Sequence, residues 1–299
     1  MTAPASGPAT AEPPRRFLPA IGPHWLLLLP SGLILIGLFG FPLAWLAQFS
    51  VTPPGQQPTF LGVMTGENYT RFLGDSFYLE RILWTTVRVS LLSCLFAILI
   101  GYPLAFFVAQ TRNQKIKAIL IAAIVCPLWL NTVIRVFGVM LLLFDNGPVV
   151  TLAGMIGLPA LQLLYNETGV VIGLTYLAIP FFVIAMIGVI EQIDQRQVEA
   201  AYSLGASGRY VFRRVVFPAT LPGVLSGFVL IFCISIASFA IPQLLGGGKV
   251  PMLGMLIYRT ANVSGNIAFA SAMSFILLAA TLISLAVVTL ALNRAAGGR

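Results

Sequence analysis

The stretch GVVIGLTYLAIPFFVIAMIGVI, residues 169–190, contains no charged side chain and is long enough to cross a lipid bilayer. The hydrocarbon core is about 30 Å thick, and a helix of about 20 residues spans it. Stretches of similar length and character lie near residues 24–49, 82–110, 118–144, 223–245 and 267–292. None shows the alternating pattern of a membrane β-barrel, so helices must satisfy the backbone hydrogen bonds in lipid. The sequence therefore predicts an all-α integral membrane protein with six transmembrane helices.

The composition of the chain indicates the same class. Hydrophobic residues make up 58% of it and charged residues 9%, whereas a soluble protein averages roughly 25% charged residues. Residues 1–20 are rich in Pro and Ala and are predicted to form a disordered cytoplasmic tail. Arg15 and Arg16 precede an apolar stretch that is too long for a signal peptide and has no cleavage site, so we expect a retained first span. Residues 21–299 are then one transmembrane domain.

Lysine and arginine are divided unequally between the two sets of loops. One set, with the termini, holds eleven: Arg15, Arg16, Arg112, Lys115, Lys117, Arg196, Arg209, Arg213, Arg214, Arg294 and Arg299. The opposite set holds four: Arg71, Arg81, Lys249 and Arg259. Because cytoplasmic loops are enriched in these residues, we expect both termini and residues 191–222 to be cytoplasmic. The asymmetry also accounts for the net charge of +8, so nucleic acid is not an expected partner.

Residue types for catalysis or metal binding are sparse in this sequence. The three Cys and one His form no metal-ligand spacing. The sequence also lacks the glycine-rich phosphate loop of nucleotide hydrolases and the motifs of serine hydrolases and zinc proteases. We therefore expect no catalytic residue, no metal site and no cofactor bound by this chain.

The stretch EAAYSLGASGRYVFRRVVFPATLPG, residues 199–223, is cationic although it lies between two apolar spans. Helix-forming residues predict a short helix over 197–204, and Gly205 provides the backbone freedom for a helix end and a change of direction. A basic amphipathic segment of this kind can lie on anionic lipid headgroups. Its composition alone leaves open whether lipid or protein is the partner.

A second short helix is predicted over 208–216, with Ser207 placed to cap it. The Phe217-Pro218 pair is predicted to stop this helix, and residues 221–223 to turn the chain into the next span. One face of the helix is apolar or aromatic and the other is cationic. A helix with two such faces requires a partner.

The spacing of residues in this loop resembles a known pattern. In chain order it consists of Glu199-Ala200-Ala201, three residues, Gly205, nine residues, Val215, one residue and Phe217-Pro218. This closely resembles the EAA loop (EAA, x3, G, x9, I, x, L, P) of bacterial ABC importer permeases, with Val and Phe in place of Ile and Leu. The resemblance implies a six-span permease of the type I ABC importer fold in the bacterial inner membrane. Residues 191–222 are called the EAA loop below.

In that family the EAA loop docks into a cleft of a cytoplasmic ATPase subunit. The resemblance therefore implies an ABC ATPase dimer as a partner, with ATP and Mg²⁺ bound by that dimer and not by this chain. Small residues allow close helix approach, a glycine sets the bend, and apolar or charged side chains fit the partner's groove. The residues predicted to couple to the ATPase are Glu199, Ala200, Ala201, Gly205, Ala206, Tyr210, Phe212 and Arg213.

Short strings elsewhere in the chain resemble the spermidine/putrescine branch of these permeases. They are Asn68-Tyr69-Thr70, the GYPLA of residues 101–105, the PLWLN of 127–131 with Ile134-Arg135, and the LLGG of 244–247. The resemblance implies a second, homologous permease subunit, in a heterodimer, and a periplasmic binding protein that delivers the solute.

Polar groups inside the predicted spans are candidates for the transport pathway, because a charge at membrane depth usually faces a cavity or a partner. Alternatives remain open: Arg88 can snorkel to the headgroups or hold a buried hydrogen bond, and Arg135 can act between helices. Residues 242–248 are predicted to form a broken helix and an outward loop. The predicted pathway residues are Arg88, Asn131, Arg135, Ser238 and Gln243.

The predicted spans contain no Asp or Glu, whereas a path for polycations is expected to contain carboxylates or an aromatic cage. A polyamine is therefore one option for the solute, and an anion or zwitterion such as an amino-acid derivative, opine or organophosphonate is the other. An ion-coupled secondary transporter is the alternative class. It predicts inverted hydropathy repeats and intramembrane carboxylates, and neither is evident. We expect a non-catalytic permease subunit, driven by ATP hydrolysis on a separate subunit.

Overall fold

The computed structural model describes residues 24–56, 62–155, 157 and 162–297, with side chains over 29–290 of these ranges. Backbone contacts divide the chain into two units, residues 1–46 and 47–299. The first unit holds most of helix α1, His24–Ser50. The predicted tail at 1–20 lies outside the described residues.

The described part of the second unit is also helical. After the end of α1 its helices are α2 Glu67–Gly74, α3 Trp84–Gln110, α4 Gln114–Val125, α5 Thr132–Leu143, α6 Pro148–Met155, α7 Glu167–Glu191, α8 Gln195–Ser203, α9 Gly208–Val211, α10 Phe217–Ile236, α11 Ala240–Leu245, α12 Leu253–Asn262 and α13 Ile267–Gly297. Wide π-helical turns over Phe77–Leu83 and Phe212–Val216 lead directly into α3 and α10.

Six segments in the described residues are long and apolar enough to cross a membrane, which confirms the predicted number. They are Leu29–Ser50, Phe77–Gln110, Thr132–Met155, Glu167–Glu191, Gly208–Ile236 and Ile267–Leu290. The third segment differs from the prediction, because it begins at the residue that starts α5 rather than near 118.

The predicted third span, 118–144, is interrupted in its middle. Helix α4 ends at Val125, a 3₁₀ turn follows, and Leu130 is extended with ψ of 144°. Pro127 has no N–H to continue an α-helix. Asn131 then caps the next helix, since its side-chain oxygen accepts a hydrogen bond from the N–H of Val133 at 2.9 Å. The predicted start of the third span near 118 was therefore wrong.

The predicted stop at Phe217-Pro218 and the turn at 221–223 were also wrong, because the chain is helical from Gly208 to Ile236. The π turn explains the continuity: the N–H of Phe217 bonds to the carbonyl of Phe212, five residues back. Pro218 then lies in the first turn of α10, where its missing N–H costs little.

The predicted fifth span, 223–245, ends earlier than expected. Helix α10 stops at Ile236, and three residues of irregular backbone precede the short α11. The break therefore lies at residues 237–239, before the segment 242–248 in which it was predicted. Pro242 itself lies inside α11.

The core that positions these elements is formed by α3, α7 and α10. Phe182 of α7 is fully buried between two glycines on its neighbours. A Cβ added at Gly101 of α3 would lie 2.8 Å from one side of the Phe182 ring, and a Cβ at Gly227 of α10 would lie 2.8 Å from the other. These glycines let the three helices approach closely. The EAA loop joins α7 to α10, so both of its ends are held by this core.

Candidate functional site: the EAA loop and the pathway residues

The first half of the EAA loop is a short helix with defined ends. Asp194 caps α8 by accepting a hydrogen bond from the N–H of Arg196 at 3.0 Å. At the other end Gly205 has φ of +79°, the left-handed conformation that favours glycine. Its N–H bonds to the Tyr202 carbonyl at 2.9 Å, and the next N–H bonds to the Ala201 carbonyl at 3.1 Å. This is the paired hydrogen-bond pattern of a Schellman C-cap, which confirms the predicted bend.

The second half of the loop starts at Ser207, as predicted. Its backbone carbonyl accepts the first helical hydrogen bond, from Val211 at 3.0 Å, while its side chain makes no capping bond. Because the helix that follows is continuous with α10, the second half of the loop is the end of a membrane-spanning helix. A displacement of α9 therefore acts directly on α10.

The predicted coupling residues lie together in this loop. Glu199, Ala200, Gly205, Tyr210 and Arg213 are exposed. The rest of the predicted set is Ala201, Ala206 and Phe212. Ala201 and Ala206 are half-buried.

Phe212 differs from the other predicted coupling side chains in its contacts. Its ring makes edge-to-face contacts with Tyr102 and Phe106 of α3, each at 6.1 Å between centroids. A cavity of about 390 Å³ lies beside it, under α8 and against the ends of α3 and α7. Phe212 thus anchors the loop to α3, and the outward-facing aromatic knob is Tyr210.

An ion pair holds the start of the loop. Lys117 of α4 and Glu191, the last residue of α7, have their N and O atoms 2.6 Å apart. The Lys117 ammonium group also donates to the Ala109 carbonyl of α3 at 3.4 Å. Three helices therefore meet at the point where the EAA loop begins.

The predicted pathway residues lie in three separate parts of the structure, of which the first two hold Arg88, Asn131 and Arg135. Arg88 forms an ion pair with Glu167, the first residue of α7, so its charge already has a partner. Asn131 acts as the cap of α5, and Arg135, one turn later, donates to the Thr132 hydroxyl at 3.2 Å. The Nε atom of Arg135 is buried and makes no hydrogen bond.

Ser238 lies at the break in the fifth span, and Gln243 lies in α11, which follows the break. Gln243 accepts a hydrogen bond from Arg259 Nε of α12 at 3.2 Å. Beside this pair Phe239 stacks on Tyr258, with ring centroids 4.8 Å apart and planes inclined by 13°. Both rings are almost half-exposed.

Residues 101–296 match the family described as binding-protein-dependent transport system inner membrane component. The chain belongs to this family. Its members are membrane subunits of ABC importers, so this permease is a non-catalytic transport subunit and the EAA motif is the family's own. Membership also excludes the alternative of an ion-coupled secondary transporter.

Relatives of this permease include two proteins named spermidine/putrescine transport system permease protein PotB. That of Haemophilus influenzae is 34% identical over 214 residues, which cover 71% of this chain and 73% of the relative. That of Escherichia coli K12 is 33% identical over 198 residues, covering 65% and 70%. The resemblance to the spermidine/putrescine branch is confirmed.

A solved structure supports the fold of the permease. A chain of a bacterial ABC transporter involved in the import of the acidic polysaccharide alginate superposes with a TM-score of 0.72. The match covers 91% of this permease and 95% of that chain at 18% identity. The likeness confirms the predicted type of ABC importer fold.

Sequence reasoning missed several exposed side chains of the permease. Leu204, at the end of α8, is 88% exposed, and Tyr202 is 53% exposed, an unusual position for apolar side chains without a partner. Their position next to Gly205 in the sequence is the signal that could have identified them as exposed side chains. Arg259 was also missed, because it was counted only as a loop cation.

Proposed function

We propose that this permease passes a small polar solute across the inner membrane by alternating access, driven by ATP hydrolysis on a separate ABC ATPase dimer. ATP and Mg²⁺ belong to that dimer. A second, homologous permease subunit completes the pathway, and a periplasmic binding protein delivers the solute. Both chain termini and the EAA loop lie on the cytoplasmic side, as the distribution of Lys and Arg indicates.

The observation that carries this proposal is the construction of the EAA loop. The loop presents exposed Tyr202, Leu204 and Tyr210 around one hydrogen-bonded glycine bend. Its first helix leaves α7 and its second helix continues into α10. A partner that binds α8 and α9 and changes shape on ATP binding would therefore move two helices of the central core together.

The solute is proposed to be a small molecule that bears an amine, because the named relatives carry spermidine and putrescine in their descriptions. An amino-acid derivative, opine or aminophosphonate satisfies the same description. The solute need not be a polyamine. In the described membrane spans, no unpaired carboxylate lies beside the predicted pathway residues.

The test uses Glu199→Lys in the complex reconstituted with its ATPase, second permease and binding protein. We expect loss of ATPase copurification and of uptake, because the exposed carboxylate at the start of the motif becomes a cation. Glu80→Lys is the matched control, since Glu80 is also exposed but lies before α3, outside the EAA loop. Normal copurification and uptake with Glu199→Lys would contradict the coupling role.

A further inference from the structure

The break in the fifth span lies against α12. The carbonyl oxygen of Ser238 approaches to 2.8 Å of the point where a Cβ on Gly254 would lie, so the two backbones touch. Irregular backbone at membrane depth is tolerated only where it is buried in protein or lines a water-filled cavity. The side chains around the break decide between these two cases.

One side of the break carries polar or exposed side chains, whereas Ile236 and Ile241 on its other side are buried. The Phe239 carbonyl accepts the N–H of Gln243, one turn later, so these two residues share a face of α11. That face carries the hydrogen bond from Arg259 to Gln243 and the stack of Phe239 on Tyr258. An exposed guanidinium would be costly against lipid, and α12 is not among the segments that can cross the membrane, so this face borders water.

The charge of Arg259 has no counter-ion among the described residues. Among the residues that the structure describes, the ion pairs are Arg88 with Glu167 and Lys117 with Glu191. Gln243 occupies only the Nε of Arg259 and fixes the plane of its guanidinium. The two terminal nitrogens are left to bind an anionic group from outside the chain, in the bidentate geometry that arginine forms with carboxylates.

We propose that Arg259, Gln243, Phe239 and Tyr258 form a solute-binding site for small zwitterions that carry an ammonium group and a carboxylate or phosphonate. The inference rests on the proposed function and narrows its solute. The guanidinium binds the anionic group. The outward face of the aromatic stack binds the ammonium group by a cation–π interaction. A diamine of the same length satisfies only the aromatic half of the site and is repelled by Arg259.

The test uses a cysteine reporter in the assembled complex. Ser238→Cys is introduced after Cys94, Cys126 and Cys233 are replaced by Ala, and its modification by an anionic and by a cationic methanethiosulfonate is timed. We expect both reagents to react, with the anionic one favoured. Arg259→Gln should lower the ratio of the two rates by about tenfold, the effect of a nearby unit charge in partly hydrated protein.

Protection of the same cysteine identifies the solute class. 4-Aminobutyrate and putrescine have the same number of carbons and differ in one terminal group. We expect 4-aminobutyrate to slow the modification several-fold more than putrescine at equal concentration. Arg259→Gln should remove the difference, whereas Tyr258→Leu should weaken protection by both compounds. Equal protection by both compounds, better protection by putrescine, or no protection would overturn the proposal.

Controls separate this site from its surroundings and from the transport function. Arg112→Gln removes the same charge from an exposed position just after α3 ends at Gln110, outside every predicted site, and should leave the rate ratio nearly unchanged. A cysteine at Ile283, an exposed apolar position within the sixth span, should stay unreactive. Ala240→Cys replaces Ser238→Cys if that variant fails to assemble. Intact ATPase coupling with no charge selectivity would reject the site while the proposed function stands.

Discussion

Reversing the charges of Lys117 and Glu191 tests how the EAA loop is connected to the membrane helices. The two charged atoms are 2.6 Å apart, with 16% of the Lys117 side chain and 43% of the Glu191 side chain exposed. At an effective dielectric constant of about 20, their direct attraction is about 6 kcal/mol. Desolvation and the ordering of two long side chains offset most of it, and the exposure of Glu191 screens more. A net contribution of about 1–2 kcal/mol remains.

Lys117→Glu places two carboxylates side by side and should cost about 2–3 kcal/mol, the lost pair plus the repulsion. Glu191→Lys should cost a similar amount. The double reversal restores an ion pair, so we expect it to recover at least half of the loss. The assay is thermal unfolding of the purified complex, with solute uptake per ATP hydrolysed measured on the same samples.

Lys115→Glu is the matched control, because it is exposed, lies on the same helix and forms no ion pair with any described residue. It should change stability by less than about 0.5 kcal/mol. If the effects of the two reversals simply add in the double variant, the pair makes no energetic connection between α4 and α7. That result would refute the idea that this ion pair holds the start of the EAA loop.

Two other substitutions test the core and the broken span. Gly227→Ala should destabilise the protein by about 1–3 kcal/mol, because the new methyl group would overlap the buried Phe182 ring, and adding Phe182→Leu should recover part of that loss in thermal unfolding. Asn131→Ala should cost about 1 kcal/mol by removing the cap of α5, and an unchanged unfolding midpoint would contradict the capping role.

Hydropathy predicted the number of spans because burial in lipid depends on summed transfer free energies over about 20 residues. It could not locate the breaks at 126–131 and 237–239, since both segments are as apolar as their neighbours. Pro127 did mark the first break, whereas Pro218 did not end a helix. Pro218 directly follows a π turn, in which the hydrogen bonds already reach five residues back, and the helix continues through it.

The predictions for the helix end and bend at Gly205 succeeded because each depends on residues close in the chain. A glycine after a helix-forming run specifies a left-handed turn, and the hydrogen bonds at Gly205 follow from that conformation alone. Which loop side chains face outward depends instead on α3. The contact of Phe212 with Tyr102 and Phe106 joins residues more than 100 positions apart, and no local pattern predicts it.

The arginines also depend on contacts between residues distant in the chain, which no local pattern predicts. These contacts change which solute is expected. Arg88 looked like a pathway charge because it lies in an apolar span, yet its counter-ion is Glu167, 79 residues away. Arg259 looked like an ordinary loop cation, yet α12 brings it beside the break in the fifth span, held by Gln243 and lacking a described carboxylate. An arginine indicates an anionic solute only when its charge is unpaired at the pathway. By that criterion Arg259, rather than Arg88, is the residue whose substitution should change which solutes are carried.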